Sequence, residues 1–349
     1  MTRTEDGDAP KIPVVPRRPT LRQRYDRHPP GLRFWLGAGL LGLYAAAAVS
    51  AVFYFGSSLG TLPYNYDWGV GNVVVGPSWS HPFGVVSGLG TGLFEAIWRA
   101  TPWDLAIVSG ILGIDVCLGW FLGAIAGLRE GRAIDRFLTF VGDSVGAIPP
   151  FILVTVAYAG TLVLAFPTPD SFWPTSWQYL GLPIFVVLFG LILWPTMARS
   201  VRERARLVAR SPYVEASRAS GASSRRILFR HVLPNSVGAV LAQVPVDVAP
   251  IFFVLSAIPW YWGCEAPSTV LYATNPGQSL PAISPLPWPS FPEWGNLLGV
   301  GTCEGLTPVG AVLPTYWWMY LFPLLTIVIF GLAVGLFCDG IDHWRRLKE

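Results

Sequence analysis

The sequence predicts an all-α, polytopic membrane protein with six spans. Of the 349 residues, 52% are hydrophobic and only 13% charged, against about 25% charged in soluble domains. The apolar residues gather in six runs, most of them near the length of about 20 residues that a membrane helix needs. The basic residues also fall in alternate connections. Eight Lys and Arg lie in 1–33, three in 129–136, nine in 199–235 and three in 339–349, which is 23 of 24, leaving only Arg99. The positive-inside rule then places both termini and the 199–235 loop in the cytoplasm.

Taken in order, residues 1–33 form a polar tail with six prolines, a composition that predicts disorder in its first half. Phe34 to Tyr54 is a charge-free run of 21 residues, longer than the apolar core of a signal peptide, and it predicts a retained first span over 34–58. Residues 59–101, rich in Gly, Pro and aromatics, read as an extracytoplasmic loop. The second span is expected at about 105–128, interrupted only by Asp115, and a short polar turn leads to a third at about 137–166. A fourth is expected at about 182–197, a fifth at about 236–261 and a sixth at about 317–337. The outer loop 262–315 holds nine prolines. The helices from 102 to 345 read as one transmembrane domain.

The polar segment between the fourth and fifth spans carries the most structured pattern. Ser211 can cap a helix, and Pro212 suits its first position, where a missing N–H costs nothing. Glu215 then lies near the positive end of the helix. Gly221 follows as a residue that adopts φ > 0 and stops it. Ser223 can cap a second short helix bearing Arg225, Arg226 and Arg230, which Pro234 is expected to end. The expectation is helix, sharp turn, helix, pinned by membrane at both ends.

Glu215-Ala216-Ser217, three residues, Gly221, then ten residues and Val232-Leu233-Pro234 closely resembles the EAA loop of ABC importer permeases. Ser217 replaces a second alanine, and His231 stands where many families have isoleucine. Arg230-His231-Val232-Leu233-Pro234-Asn235 looks like the dipeptide, oligopeptide and nickel subfamily. His81-Pro82-Phe83-Gly84, Asp135-Arg136 with Asp143 and Ile148-Pro149, Trp294-Gly295-Asn296 and Asp339-Gly340 are similar to that subfamily too. After His81-Pro82-Phe83-Gly84 the chain departs from the family: Val85-Val86 and Gly90-Thr91-Gly92 replace its usual Thr-Asp and Gly-Arg-Asp. The resemblance implies the type I ABC importer permease fold. It implies that Glu215, Ala216, Ser217, Gly221, Arg230, His231, Leu233 and Pro234 couple the spans to ATP-binding subunits. It also implies a second permease subunit, an extracytoplasmic solute-binding protein, and di- or oligopeptides as the substrate class, with nickel or oligosaccharides carried by related systems. The chain is then a transport subunit in a prokaryotic plasma membrane, and ATP is used by its partners.

Residue types narrow the chemistry further. The only lysines are Lys11 and Lys348, so a G-x-x-x-x-G-K-[ST] phosphate loop cannot exist in this sequence. His28, His81, His231 and His343 are far apart, which predicts no metal cluster, and no G-x-S-x-G elbow is present. No cofactor and no nucleic-acid partner is expected; membrane lipid is. Asp115, Asp143 and Asp247 are carboxylates inside apolar segments, each costing on the order of 3 kcal/mol at mid-membrane unless it faces a cavity or a partner helix. Asp247, between Pro245 and Pro250, reads as a candidate for lining the translocation path, with Asp115 a weaker one. The alternative is an interhelical hydrogen bond. For Asp143 the resemblance implies a gating or structural hydrogen bond. Cys117 and Cys338 read as buried small hydrophobes, and Cys264 and Cys303 as an outer-loop pair able to form a disulfide. An ion-coupled secondary transporter would show internal repeats, and a membrane enzyme a catalytic constellation; neither pattern is visible in the sequence.

Overall fold

The computed structural model describes residues 30–56, 59, 75–85, 92–165, 181–258, 293–295, 297–298 and 317–347. Its elements are α1 (Leu32–Phe55), α2 (Leu93–Leu128), α3 (Ala133–Gly146), α4 (Pro150–Ala165), α5 (Gly181–Ala209), α6 (Pro212–Ala219), α7 (Ser224–Ile227), a π turn (Leu228–Val232), α8 (Leu233–Ile258) and α9 (Trp318–Arg346). Five helical segments are long and apolar enough to cross a membrane, six if the bent pair α3–α4 counts as one span. Helices cover each of the expected apolar runs, the third as the bent pair, but several boundaries differ for physical reasons.

α2 begins at Leu93, well before the expected 105, so residues 93–101 are helix rather than loop. The Gly-, Pro- and aromatic-rich composition of 59–101 as a whole gives the loop reading, and Arg99 is the one Lys or Arg in it. In the structure it donates to Glu95 one turn earlier at 3.0 Å and lies 4.1 Å over the Phe55 ring, so its charge is paired and its stem buried. The third span is not one straight helix. α3 and the first turns of α4 meet at 82°, because Pro149 disfavours helical backbone at Ile148 and two successive prolines withhold N–H donors. The fourth span does not stop at 197; α5 continues to Ala209 through four arginines. α9 likewise runs on from the expected 337 to Arg346.

Pro234 does not end the second short helix. α7 passes through the π turn into α8 without a break. Leu233 N–H bonds five residues back, to Leu228 O, and this widened turn shifts the ladder just where Pro234 has no donor to give. The fifth span therefore starts at the end of the polar segment and is rigidly joined to it.

Close helix contacts are made by small residues. Gly119, Gly123 and Gly127 fall on one face of α2, and a Cβ on them would come within 2.5 Å of Met197 Cβ, 2.5 Å of Ala198 O and 2.6 Å of Ala205 Cβ on α5. Small residues four apart let two backbones approach closely where lipid offers no hydrophobic drive. α1 and α9 are joined reciprocally: Gly37 abuts the Phe337 backbone and Gly340 the Phe34 backbone, both nearer than 3 Å to a notional Cβ. Phe34 stacks on Phe337, and Arg33 meets Asp339 at 2.6 Å.

Two apolar cores result. The larger includes Ile107, Ile111, Phe185, Phe189, Ile251, Phe252, Trp294 and Phe330. Trp294 is fully buried, and its backbone N–H donates to Asp104 at 2.9 Å. The second core comprises Ala124, Met197, Val201, Ala205, Val208, Val214, Ile227, Leu228, Val232 and Val240. It lies at the charged end of the bundle and holds α6 and α7 against α5 and α8.

Candidate functional site

The polar segment between α5 and α8 is a hairpin of two short helices with defined ends. Ser211 stands at the N-cap of α6 in extended backbone (φ −72, ψ 146), with Pro212 next. Its hydroxyl does not cap, contrary to expectation. It turns back and donates to Val208 O at 2.6 Å, while the Ser211 carbonyl accepts from Val214 and Glu215 N–H. The far end is a Schellman motif: Gly221 N–H donates to Arg218 O at 3.0 Å and Ala222 N–H to Ser217 O at 3.1 Å. Gly221 has φ 83, the left-handed value expected of it. Ser223 then caps α7, its Oγ accepting from Arg226 N–H at 3.3 Å.

Burial divides the segment into an inner and an outer face. Val214 and Ile227, one from each helix, are inserted into the second core with Val232. Glu215, Ala216, Gly221, Arg230 and Pro234 are exposed, and Ser217, His231 and Leu233 half-buried. His231 packs on the Tyr213 ring at 5.7 Å, and its carbonyl accepts from Asn235 Nδ2 at 2.7 Å. Trp120 Nε1 on α2 donates to Ser236 Oγ at 2.9 Å, fixing the start of α8. Glu215 forms no ion pair among the described residues. The hairpin thus offers an acid and several arginines outward while apolar side chains anchor it beneath.

The extension of α5 beyond its apolar run is clamped to the α2–α3 turn. Arg202 makes a forked contact with Asp135, Nε to Oδ1 at 2.6 Å and Nη2 to Oδ2 at 3.0 Å, and Gly131 N–H adds 2.8 Å to the same carboxylate. Arg206 and Arg210 reach Glu130 at 2.5 and 2.7 Å. These two guanidiniums, Arg206 first, hold the Glu130 carboxyl below its usual range. Asp143 pairs with Arg199 at 3.1 Å, both exposed.

Asp115 and Asp247 do come together, between α2, α5 and α8. Both are buried, at 0% and 2% exposed. Asp247 Oδ1 accepts from Gln243 Nε2 at 3.0 Å and Thr196 Oγ1 at 3.3 Å. In this conformation they sit inside the chain's own bundle; the Thr196 contact joins α5 to α8, while the Gln243 contact lies within α8.

The model of the family described as "Binding-protein-dependent transport system inner membrane component" matches residues 119–346, about two thirds of the chain and all of the hairpin and clamp. The chain belongs to that family. The oligopeptide transport system permease protein OppC of Bacillus subtilis is 27% identical over 256 residues, covering 70% of this chain and 77% of its own. The dipeptide transport system permease protein DppC of Bacillus subtilis is 26% identical over 269 residues, covering 76% and 68%. The glutathione transport system permease protein GsiD of Pectobacterium atrosepticum is 26% identical over 270 residues, covering 76% and 72%. The chain is an ABC importer permease subunit, a multi-pass membrane protein and a transporter component rather than an enzyme.

Several motif residues of this permease turn out to be packing points. Phe83 stacks on Phe322 at 4.1 Å, and Gly84 (φ 80) leaves room for Trp318, whose Nε1 lies 2.7 Å from a notional Cβ. A Cβ on Gly295 would meet the Leu255 backbone at 2.7 Å. Cys338 is buried as expected, but Cys117 is exposed on the outer face of α2. Cys264 and Cys303, with most of the 262–315 loop, lie outside the described residues, as do residues 1–29. The clamp was not anticipated. Its signal was present: Arg202, Arg206 and Arg210 are four apart and share one helix face, which becomes apparent once the helix is extended past the fourth span.

Proposed function

We propose that this permease forms half of the transmembrane path of an ATP-driven importer for di- or oligopeptides or a related small solute. The peptide class rests on the names of the similar permeases, which specify oligopeptide, dipeptide and glutathione transport. Nickel or oligosaccharides are the alternative cargo. The remaining components are a second permease chain, ATP-binding subunits and an extracytoplasmic solute-binding protein that delivers the cargo. ATP is bound by the partner subunits, in keeping with a sequence whose lysines are confined to Lys11 and Lys348. Both termini and the α6–α7 hairpin face the cytoplasm, by the asymmetry of 23 basic residues against one.

The observation that carries this reading is the hairpin, capped at Gly221, exposed at Glu215 and anchored through Val214 and Ile227. ATP-driven closure of the partner subunits moves it, and its rigid junction with α8 and the clamp on α5 pass that motion to the spans. Arg230, His231, Leu233 and Pro234 belong to this junction, Ala216 and Ser217 to the docking helix. Asp247 and Asp115 line the path only in a state where α2, α5 and α8 part, while Asp143 with Arg199 steadies α3 against α5. Tagged chain should co-purify with ATP-binding and permease partners, and a Ser223→Cys variant should be inaccessible to impermeant thiol reagents in intact cells. Labelling of Ser223→Cys from outside, or purification without an ATP-binding partner, would contradict the proposal.

A further inference from the structure

The bundle holds two acids whose chemistry the coupling role does not use. Asp115 on α2 and Asp247 on α8 are both buried. Asp247 Oδ1 accepts from Gln243 and from Thr196 of α5. Among the described residues, no N–H or hydroxyl donor reaches Asp247 Oδ2 or either Asp115 oxygen. The two side chains meet each other in a hydrogen bond. Ionised carboxylates only accept, so that bond requires a hydrogen on one of the two groups. Asp247 already receives two donors, which suits the ionised form. Asp115 receives none, which suits the acid form and makes it the donor.

No cation of the chain stands in for that hydrogen. Between Phe34 and Leu128, Arg99 is the one Lys or Arg. It lies sixteen positions before Asp115, about 24 Å along α2, and pairs with Glu95. On α5 the first cation is Arg199, one turn past Thr196, where it meets the exposed Asp143. Glu130, Asp135, Arg202 and Arg206 are engaged in the clamp. α8 has no other charged residue. α4 has Tyr158 as its one titratable residue, and α9 brings Tyr320 and Cys338 but no charge before Asp339. Gly119, one turn beyond Asp115, packs on Met197 at the end of the fourth apolar run. The pair thus lies about 6 Å inside the apolar layer. Two ionised carboxylates in contact there would repel with little water to screen them.

We propose that Asp115 and Asp247 form a proton-binding site that ties α2 to α8 while these helices are together. One proton is held as an O–H of Asp115 donated to the Asp247 carboxylate, and Thr196 and Gln243 keep the acceptor in place. When α2, α5 and α8 part, the hydrogen bond breaks, water hydrates both groups, and Asp115 passes its proton to water. Rejoining takes one proton back. The joined state therefore binds one proton more than the parted state. Its advantage is complete in acid and is lost as pH rises. The proposal rests on the permease reading, because it takes the parting of these helices as the transport motion.

The test uses the intact importer in an ester-free detergent, at a mildly alkaline pH where exposed carboxyls are ionised. Infrared spectroscopy then reads the carbonyl band of carboxyls that keep a proton. Asp115→Asn and Asp247→Asn should each lose one and the same band relative to wild type, because an amide N–H replaces the shared proton in both. Asp339→Asn, at the exposed pair with Arg33, should retain it. Loss of no band would show an ionised pair, and loss of a different band in each variant two separately protonated acids; either overturns the proposal. The melting temperature of wild type should fall relative to that of Asp115→Asn as pH rises, since the amide does not titrate. Parallel pH profiles would overturn the proposal. Where an Asn variant does not assemble, the wild-type band decides: it should disappear in step with the fall in melting temperature, and its absence at every pH would overturn the site. ATP-binding subunits are quantified in the same samples. Their absence from wild type contradicts the permease reading, whereas an unchanged band with those subunits present contradicts the proton alone.

Discussion

At the scale of single residues, Gly221 and Glu130 show how local physics shapes the hairpin and the clamp beside it. Gly221 was legible from sequence because a Schellman ending demands φ > 0, which glycine alone adopts without penalty. A Cβ at Gly221 meets nothing within 4 Å, so the cost of substitution is conformational and not steric. Gly221→Ala should therefore destabilise the hairpin by about 1–2 kcal/mol, and Gly221→Asn, better suited to left-handed backbone, by less; thermal unfolding of the purified complex measures both. Ser211 was misread because a hydroxyl at an N-cap can bond backward as easily as forward, and spacing does not reveal which. Glu130 gives a pH dependence. Arg206 and Arg210 lower its folded value beneath the ordinary 4.5. Its stabilising contribution is thus complete above that ordinary value and is lost as pH falls through the lower folded one. Wild type and Glu130→Gln should differ in melting temperature by a constant amount near neutrality and converge in acid; a difference that grows on acidification would contradict the pairing.

At the scale of elements, apolar runs located every span but could not give helix ends. Hydropathy reports where the bilayer is, and α2, α5 and α9 continue past it as charged helix. The Gly-, Pro- and aromatic-rich composition of 59–101 hid the first nine residues of α2, and the basic run 199–210 hid the α5 extension. Pro234 was read as a stop because proline usually is one, and the π turn that excuses it has no sequence signature of its own. The stripe Gly119, Gly123, Gly127 was legible in principle, as three glycines four apart in an apolar helix. Gly123→Val should drive its side chain into the Ala198 backbone, only 2.5 Å from a notional Cβ, and separate α2 from α5 at a cost of roughly 2 kcal/mol or more. Gly113→Ala on the same helix meets open space and should leave stability unchanged or raised. Size-exclusion homogeneity and melting temperature in detergent compare the two, and equal behaviour would mean that the stripe does not hold the pair. The clamp illustrates the opposite limit. Which acids meet Arg202 and Arg206 depends on the fold of the α2–α3 turn, and no periodicity within α5 names Asp135 or Glu130.

At the scale of the whole molecule, the path from the hairpin to the spans is continuous. α6 and α7 rest on the second core through Val214 and Ile227, α7 becomes α8, and α5 is tied by Asp135 and Glu130 to the turn between α2 and α3. On the proposed coupling role, a push on the hairpin would pass into α8 directly and into α2 and α3 through the clamp. On the opposite side, Cys264 and Cys303 should close a loop of about 40 residues, worth roughly 3–4 kcal/mol in the chain-entropy model. In a Cys117→Ser/Cys338→Ser variant, thiol labelling of the denatured chain should then require prior reduction; labelling without it would show that Cys264 and Cys303 are free thiols. The most direct measurement of the coupling claim is solute uptake by cells or proteoliposomes carrying Gly221→Val and Glu215→Ala, with ATP-binding subunits quantified in the same preparations. Uptake and ATPase association should both fall, while capture of the solute by the external binding protein stays at wild-type level. Normal uptake with normal ATPase association in both variants would show that the hairpin does not couple ATP hydrolysis to transport.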